Sequence, residues 1–222
     1  MVSAGMDVQG PLSRERVLRM ALLLADAGDI DAISMRKIAQ ALGVQAMSLY
    51  NHVANKDDIL DGIVDLVISE IEVPDLTADW KVAMRRRSVS AHEVLLRHPW
   101  AAIVIMSRVN VGPASLRYID ATLGCLINAG FSFVIADRAW NAIDSHLYGF
   151  TLQELKFPFQ PEDYSEAATT GLPLIPAEKY PYMNALTLEI IAKKYDGISN
   201  FEFGLEIILE GLDRLREGYL LD

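Results

Sequence analysis

An all-α fold is what this 222-residue sequence predicts, and three observations predict it. Nearly every segment repeats its apolar residues with the 3.6-residue period of an amphipathic helix, and no convincing alternating strand appears. Helix punctuation recurs along the chain: Ser13, Ser34 and Asn55 stand where a side-chain oxygen caps a first turn, and Gly43 and Gly130 stand where a helix ends. Lastly, "MRKIAQALGVQAMSLYNHV", residues 35–53, reads as two short helices hinged on one glycine. That stretch contains no acidic residue in a chain of formal net charge −10.

The first helix is expected over residues 12–27, with Val17, Met20, Ala21 and Leu24 as its apolar stripe. Ser34 opens a second, whose Ile38, Ala39 and Leu42 face inward, and Gly43 supplies the left-handed residue that stops it. A third short helix spans residues 45–53, anchored by Leu49 and Val53. "NKDDILDGIVDLVISEI" forms a fourth from Asn55 to about residue 73, stopped by Pro74. Beyond it, "DWKVAMRRRSVSAHEVLLRHP" is a long helix ended by Pro99, and "WAAIVIM" a short apolar one. "PASLRYIDATLGCLINAG" starts on proline, and "SFVIADRAWNAIDSHLYGFTLQELK" is long with small and apolar residues on several faces. Residues 157–177 read as a loop, and two helices near 178–195 and 200–219 finish the chain. The domains expected are a three-helix head, residues 12–58, and a larger helical body, residues 59–222, joined by the fourth helix.

Composition narrows the class of function. A hydrophobic fraction of 51% with 23% charged residues describes a globular protein with a sizeable core. The longest purely apolar run, residues 100–106, is too short to cross a bilayer, and no secretory signal is evident, so a cytoplasmic protein is expected. Cys125, the single cysteine, cannot form an internal disulfide. A pI near 4.9 argues against whole-surface binding to nucleic acid but not against a local site. Between residues 34 and 56 the charges are Arg36, Lys37 and Lys56, with no Asp or Glu.

The hinged pair has the helix-turn-helix pattern, in which the second helix enters the DNA major groove and the first braces against the backbone. Ala46, Met47, Ser48, Tyr50, Asn51 and His52 crowd the exposed part of that second helix. Tyr50, Ser48 and Asn51 can reach phosphates or base edges, and Ala46 and Met47 can touch thymine methyls. Arg36 and Lys37 open the bracing helix, and Lys56 opens the next one, where an ammonium and backbone N–H groups can share one phosphate.

"SMRKIAQALGVQAMSLYNHVANKDDILDGIVD" resembles the DNA-binding domain of the tetracycline-repressor (TetR) family of bacterial transcription regulators, most specifically in "LYNHVANKDDIL". A weaker likeness to the tetracycline-repressor subgroup continues through "DW", "LLRHP", "NAGFS" and "SHLYGF". The resemblance implies a homodimer whose recognition helices enter successive major grooves of a palindromic double-stranded operator, and a small molecule in the body that releases the DNA. It implies DNA contacts at Arg36, Ala46, Met47, Ser48, Tyr50, Asn51, His52 and Lys56. Asn51 and Met47 depart from the aromatic and the proline of the tetracycline repressor, so a different operator is expected.

The body departs further. Ile105 stands where the tetracycline repressor has its magnesium-binding histidine, and Arg87 and Ala91 where it has drug-contacting asparagine and phenylalanine. A hydrophobic or aromatic effector bound without metal is therefore expected. Its candidate lining is Trp80, Met84, His92, Ile103, Met106, Leu116, Leu123, Trp140, Ile143 and Leu147, with Ala102 close enough for a bulky substitution to fill the site. Packing in the core is the competing role for each. No glycine-rich phosphate loop, nucleophile elbow or Cys/His metal spacing occurs, so no enzymatic activity and no cofactor are expected. The rival reading is a helical small-molecule-binding protein whose helix-turn-helix no longer reads DNA.

Overall fold

The computed structural model describes residues 10–28, 30–159, 163–194, 200–216 and 218, and every regular element among them is helical. The head comprises α1 (Arg14–Asp26), α2 (Met35–Leu42) and α3 (Ala46–Leu49). The hydroxyls of Ser13 and Ser34 accept from the backbone N–H groups of Arg16 and Lys37, as the capping pattern requires. Val17, Ala21, Ile38, Leu49 and Val53 close the head's core against Ile59 and Ile63 of α4 (Lys56–Ser69). Residues of α4 thus belong to the head at one end and to the body at the other.

The body stacks α5 (Trp80–Arg97), α6 (Ala101–Met106), α7 (Pro113–Asn128), α8 (Phe133–Lys156) and α11 (Phe201–Arg216) around Met84, Leu95, Leu126, Ile143, Leu147, Leu205 and Leu209, all almost wholly buried. Asp65 pins α4 to this body. Its carboxylate accepts from the backbone N–H groups of Ala114 (3.2 Å) and Ser115 (2.8 Å) and from the Ser115 hydroxyl (2.9 Å), at the start of α7. Gly112 lies so close to this carboxylate that any Cβ there would collide with it.

Three expectations need correction. The second helix of the hinged pair has only four residues of α-helix; Gln45 provides no side-chain cap, and the chain continues as a turn in which His52 and Val53 both donate to the Leu49 carbonyl. α4 ends at Ser69, short of residue 73. The expected loop at 157–177 instead contains α9 (Tyr164–Gly171) and a 3₁₀ turn (Leu172–Leu174), which pack with α10 (Pro181–Ile191) as a hairpin. Proline and glycine near α9 masked it, and its stability comes from α10, as in the bond from the Ser165 hydroxyl to the Ile191 carbonyl (3.1 Å). Tyr195 and Tyr219, where the last two helices were expected to end, fall outside the described residues.

Candidate nucleic-acid interface and ligand cavity

Gly43 adopts φ 68°, ψ 30°, and the chain reverses there: Gly43 N–H donates to the Gln40 carbonyl (3.2 Å) and Val44 N–H to that of Ala39 (3.0 Å). This reversal sets α3 across α2, with Ile38, Ala39, Leu42 and Leu49 buried beneath. Arg36, Lys37, Met47, Tyr50 and Asn51 are exposed, and Ala46, Ser48 and His52 half-buried. Arg36 and Lys37 take no ion-pair partner among the described residues. Met47 is 74% exposed at the tip of the head, an apolar side chain left in water. Lys56 is half-buried, and its ammonium donates to the Asp31 carbonyl (3.1 Å), which holds it at the start of α4. The expected contact residues therefore share one end of the molecule.

In the body, a cavity of about 750 Å³ opens between α4, the end of α6, α7 and α8, within the size range of small-molecule sites. Ile68 and Ile71 come from the α4 side, Ile105 and Met106 from α6, and Trp140, Tyr148 and Leu152 from α8. A buried ion pair supports one wall. The Arg87 guanidinium, fully buried, donates to Asp144 Oδ1 (2.6 Å) and lies 4.6 Å from the centre of the Tyr118 ring. Trp140 Nε1 donates to Asp144 Oδ2 (2.6 Å), so both oxygens of this lining carboxylate are engaged.

The remaining polar lining is only partly committed. Burial pushes the Tyr118 and Tyr148 phenols far above their ordinary range, so both stay neutral. Neither hydroxyl has a hydrogen-bond partner among the described residues. Asn110 Nδ2 donates to the Ile105 carbonyl (2.9 Å), while its Oδ1 is buried with no partner among the described residues. Arg108, the lining cation, is held by Asp61 (2.7 Å) and Asp57 (3.2 Å) of α4.

Of the expected lining, only Met106 and Trp140 reach this cavity. Met84, Ile143 and Leu147 are core; Trp80 packs edge-on to Phe131 (5.1 Å), and Leu123 is half-buried against the core. Leu116 is exposed on α7, away from the lining. Ile103, 53% exposed, faces a different cavity beside Lys56 and Trp100. Ala102 is fully buried, so a bulky residue there would overpack the core rather than fill the site. Asp144, Tyr148, Tyr118 and Asn110 are among the polar lining residues missed. A signal existed for α8, where Asp144, Ser145, Tyr148 and Gly149 recur at helical spacing on one stripe.

His92 lies elsewhere, stacked on Phe201 (4.4 Å) with Nδ1 2.9 Å from the Thr151 hydroxyl and Nε2 3.1 Å from Glu154. Burial depresses its affinity for a proton; Glu154 and Glu93 oppose this in part, and His146 adds to it. The unfolded chain takes up the proton near the ordinary value of about 6.5. Its contribution to stability is therefore present above that pH and lost as pH falls below it. Melting curves between pH 8 and pH 5 should show a shallower acid-side decline for His92→Gln than for the parent. Equal slopes would remove His92 as the cause.

A helix-turn-helix head joined by a shared helix to a cavity-bearing helical body defines a class: one-component regulators that couple a small molecule to DNA. The sequence profile described as tetracyclin repressor-like, C-terminal domain matches residues 73–216, and the chain belongs to the tetracycline-repressor family. The transcriptional repressor DrrR1 of Streptomyces coeruleorubidus is 29% identical over 92% of this chain and 78% of its own length. The class D tetracycline repressor of Escherichia coli is 28% identical over 91% of this chain and 89% of its own. Among solved structures, ActR of Streptomyces coelicolor bound to actinorhodin superposes with TM-score 0.79 at 28% identity, covering 93% of this chain and 97% of that one. Among the described residues no helix is long and apolar enough to cross a membrane.

Proposed function

We propose that this protein is a cytoplasmic, ligand-responsive transcriptional repressor that acts without catalysis. It reads an operator through Arg36, Lys37, Ala46, Met47, Ser48, Tyr50, Asn51, His52 and Lys56. The observation that carries the reading is α4: it begins at Lys56, beside the recognition helix, and its far end supplies Ile68 to the cavity wall. A ligand that prefers one tilt of α4 thereby biases the head, and it can release DNA only through such a preference. Selection of genomic fragments by the purified protein tests this; a failure to enrich any sequence, or retention that ignores salt, would overturn it.

A two-fold dimer completes the reader, because one four-residue helix buries too little surface for tight specific binding. α8 and α11 pack together within the chain yet leave Phe133, Val134, Phe203 (67% exposed) and Ile207 exposed. Two copies of each helix would cover them as a four-helix interface.

The cavity chemistry favours a neutral aromatic effector with hydroxyl groups. Its walls are apolar, its one carboxylate is compensated, its one cation is engaged, and Asn110 Oδ1 and two phenols await partners. Ile105 stands in the wall where the tetracycline repressor has its metal-binding histidine, which supports binding without a divalent ion. Gly149 gives a test, since a Cβ added there meets open space on the lining of the cavity. Gly149→Leu is expected to fill the cavity, leave operator affinity within about threefold, and weaken effector-driven release by about tenfold or more. Titration of the operator complex with candidate ligands, with and without a chelator, reads both outcomes.

A further inference from the structure

The head meets the body through a polar junction that lies apart from both the reading surface and the cavity. Asp26, the last residue of α1, turns one oxygen, Oδ1, to two donors of the body: His98 Nδ1 at 2.7 Å and Trp100 Nε1 at 2.8 Å. His98 caps the end of α5 and Trp100 the start of α6, and both are buried. The opposite nitrogen of the same imidazole, Nε2, lies 3.3 Å from Glu70 Oε1 at the end of α4, and Arg97 holds the other Glu70 oxygen (2.7 Å). Head helix, connecting helix and body thus converge on one ring.

Resting on the repressor reading above, we propose that Asp26, His98 and Trp100 form a clasp that fixes the angle of the head on the body, and so sets the half-site spacing the dimer accepts. Apolar surfaces in contact can slide, whereas hydrogen bonds lose strength steeply as they bend. α4 alone leaves the head free to follow its tilt; the clasp adds a second, directional attachment at the far end of α1. Two heads on a two-fold axis then present their recognition helices at one separation, and one extra base pair moves a half-site by about 3.4 Å and rotates it. The clasp also lies in line with the cavity, because α6 begins directly after Trp100 and ends at the lining residues Ile105 and Met106.

The test uses the full-length protein and three duplexes: the operator obtained by genomic selection, and versions with one base pair inserted or deleted between half-sites. The parent is expected to lose about tenfold or more in affinity on either altered spacing. Trp100→Phe, which removes the N–H donor and keeps a ring, and Asp26→Asn, which keeps an oxygen and removes the charge, are expected to narrow that difference to about threefold or less. A uniform weakening at all three spacings marks a structural role and overturns the clasp, as does an undiminished preference in a variant with parental helicity. A parent protein indifferent to spacing overturns it too. A parent that selects no DNA at all refutes the repressor reading itself.

Discussion

Asp144→Ala is expected to destabilise the protein by about 3–5 kcal/mol, the range for a buried charge stripped of its partner. The change strands the Arg87 guanidinium, which is fully buried and whose Nε and Nη2 have no hydrogen-bond partner among the described residues. It also frees Trp140 Nε1, whose only acceptor among the described residues is that carboxylate. Urea unfolding followed by circular dichroism measures the loss. The double variant Arg87→Met, Asp144→Leu should recover most of it, because well-packed apolar residues of similar volume replace buried ion pairs at little cost. A single variant within about 1 kcal/mol of the parent would mean that water reaches Arg87 and that the pair is not a buried support.

Tyr50→Ala and Lys56→Ala are each expected to weaken operator binding by about tenfold while leaving helicity intact, the scale of one lost phosphate or base contact. Each lost phosphate contact should also make the log–log salt dependence shallower by about one unit. Asn51 and Ser48 substitutions should instead change which sequence is preferred. Lys56 carries a second consequence in this structure: its ammonium donates to the Asp31 carbonyl, so Lys56→Ala also loosens the start of α4 from the segment after α1. Fluorescence anisotropy across a salt series separates the two, since loosening lowers affinity without changing the slope. Unchanged binding in both variants would remove α3 as the reader.

The head was legible because its signals are local. Ser34 caps, Gly43 reverses the chain and Ile38, Leu42 and Leu49 repeat with the helical period, all within sixteen residues of sequence. What the period could not give is the length of α3, since the backbone bonds of His52 and Val53 that close the turn look the same in sequence as a longer helix. The cavity was largely hidden for a different reason. An apolar residue on a helix facing inward has the same pattern whether it touches neighbours, as Ile143 does, or borders empty space, as Trp140 does. Only the three-dimensional offset between α4, α7 and α8 distinguishes them. Arginines 85–87 are consecutive in sequence and diverge in the fold: Arg85 reaches Glu206, while Arg87 is buried against the Tyr118 ring and pairs with Asp144.

The bare faces on α8 and α11, together with the hairpin of α9 and α10, carry a thermodynamic consequence. Tyr182 (89% exposed), Met183, Leu186 and Leu188 of α10 add to Phe203 and Ile207 as apolar surface that a lone chain leaves in water. In the two-fold dimer proposed above, folding is completed by association, so unfolding is a second-order equilibrium and has no single concentration-independent free energy. Diluting the protein a hundredfold should lower its melting temperature, and stability figures for any variant hold only at the protein concentration at which they were measured.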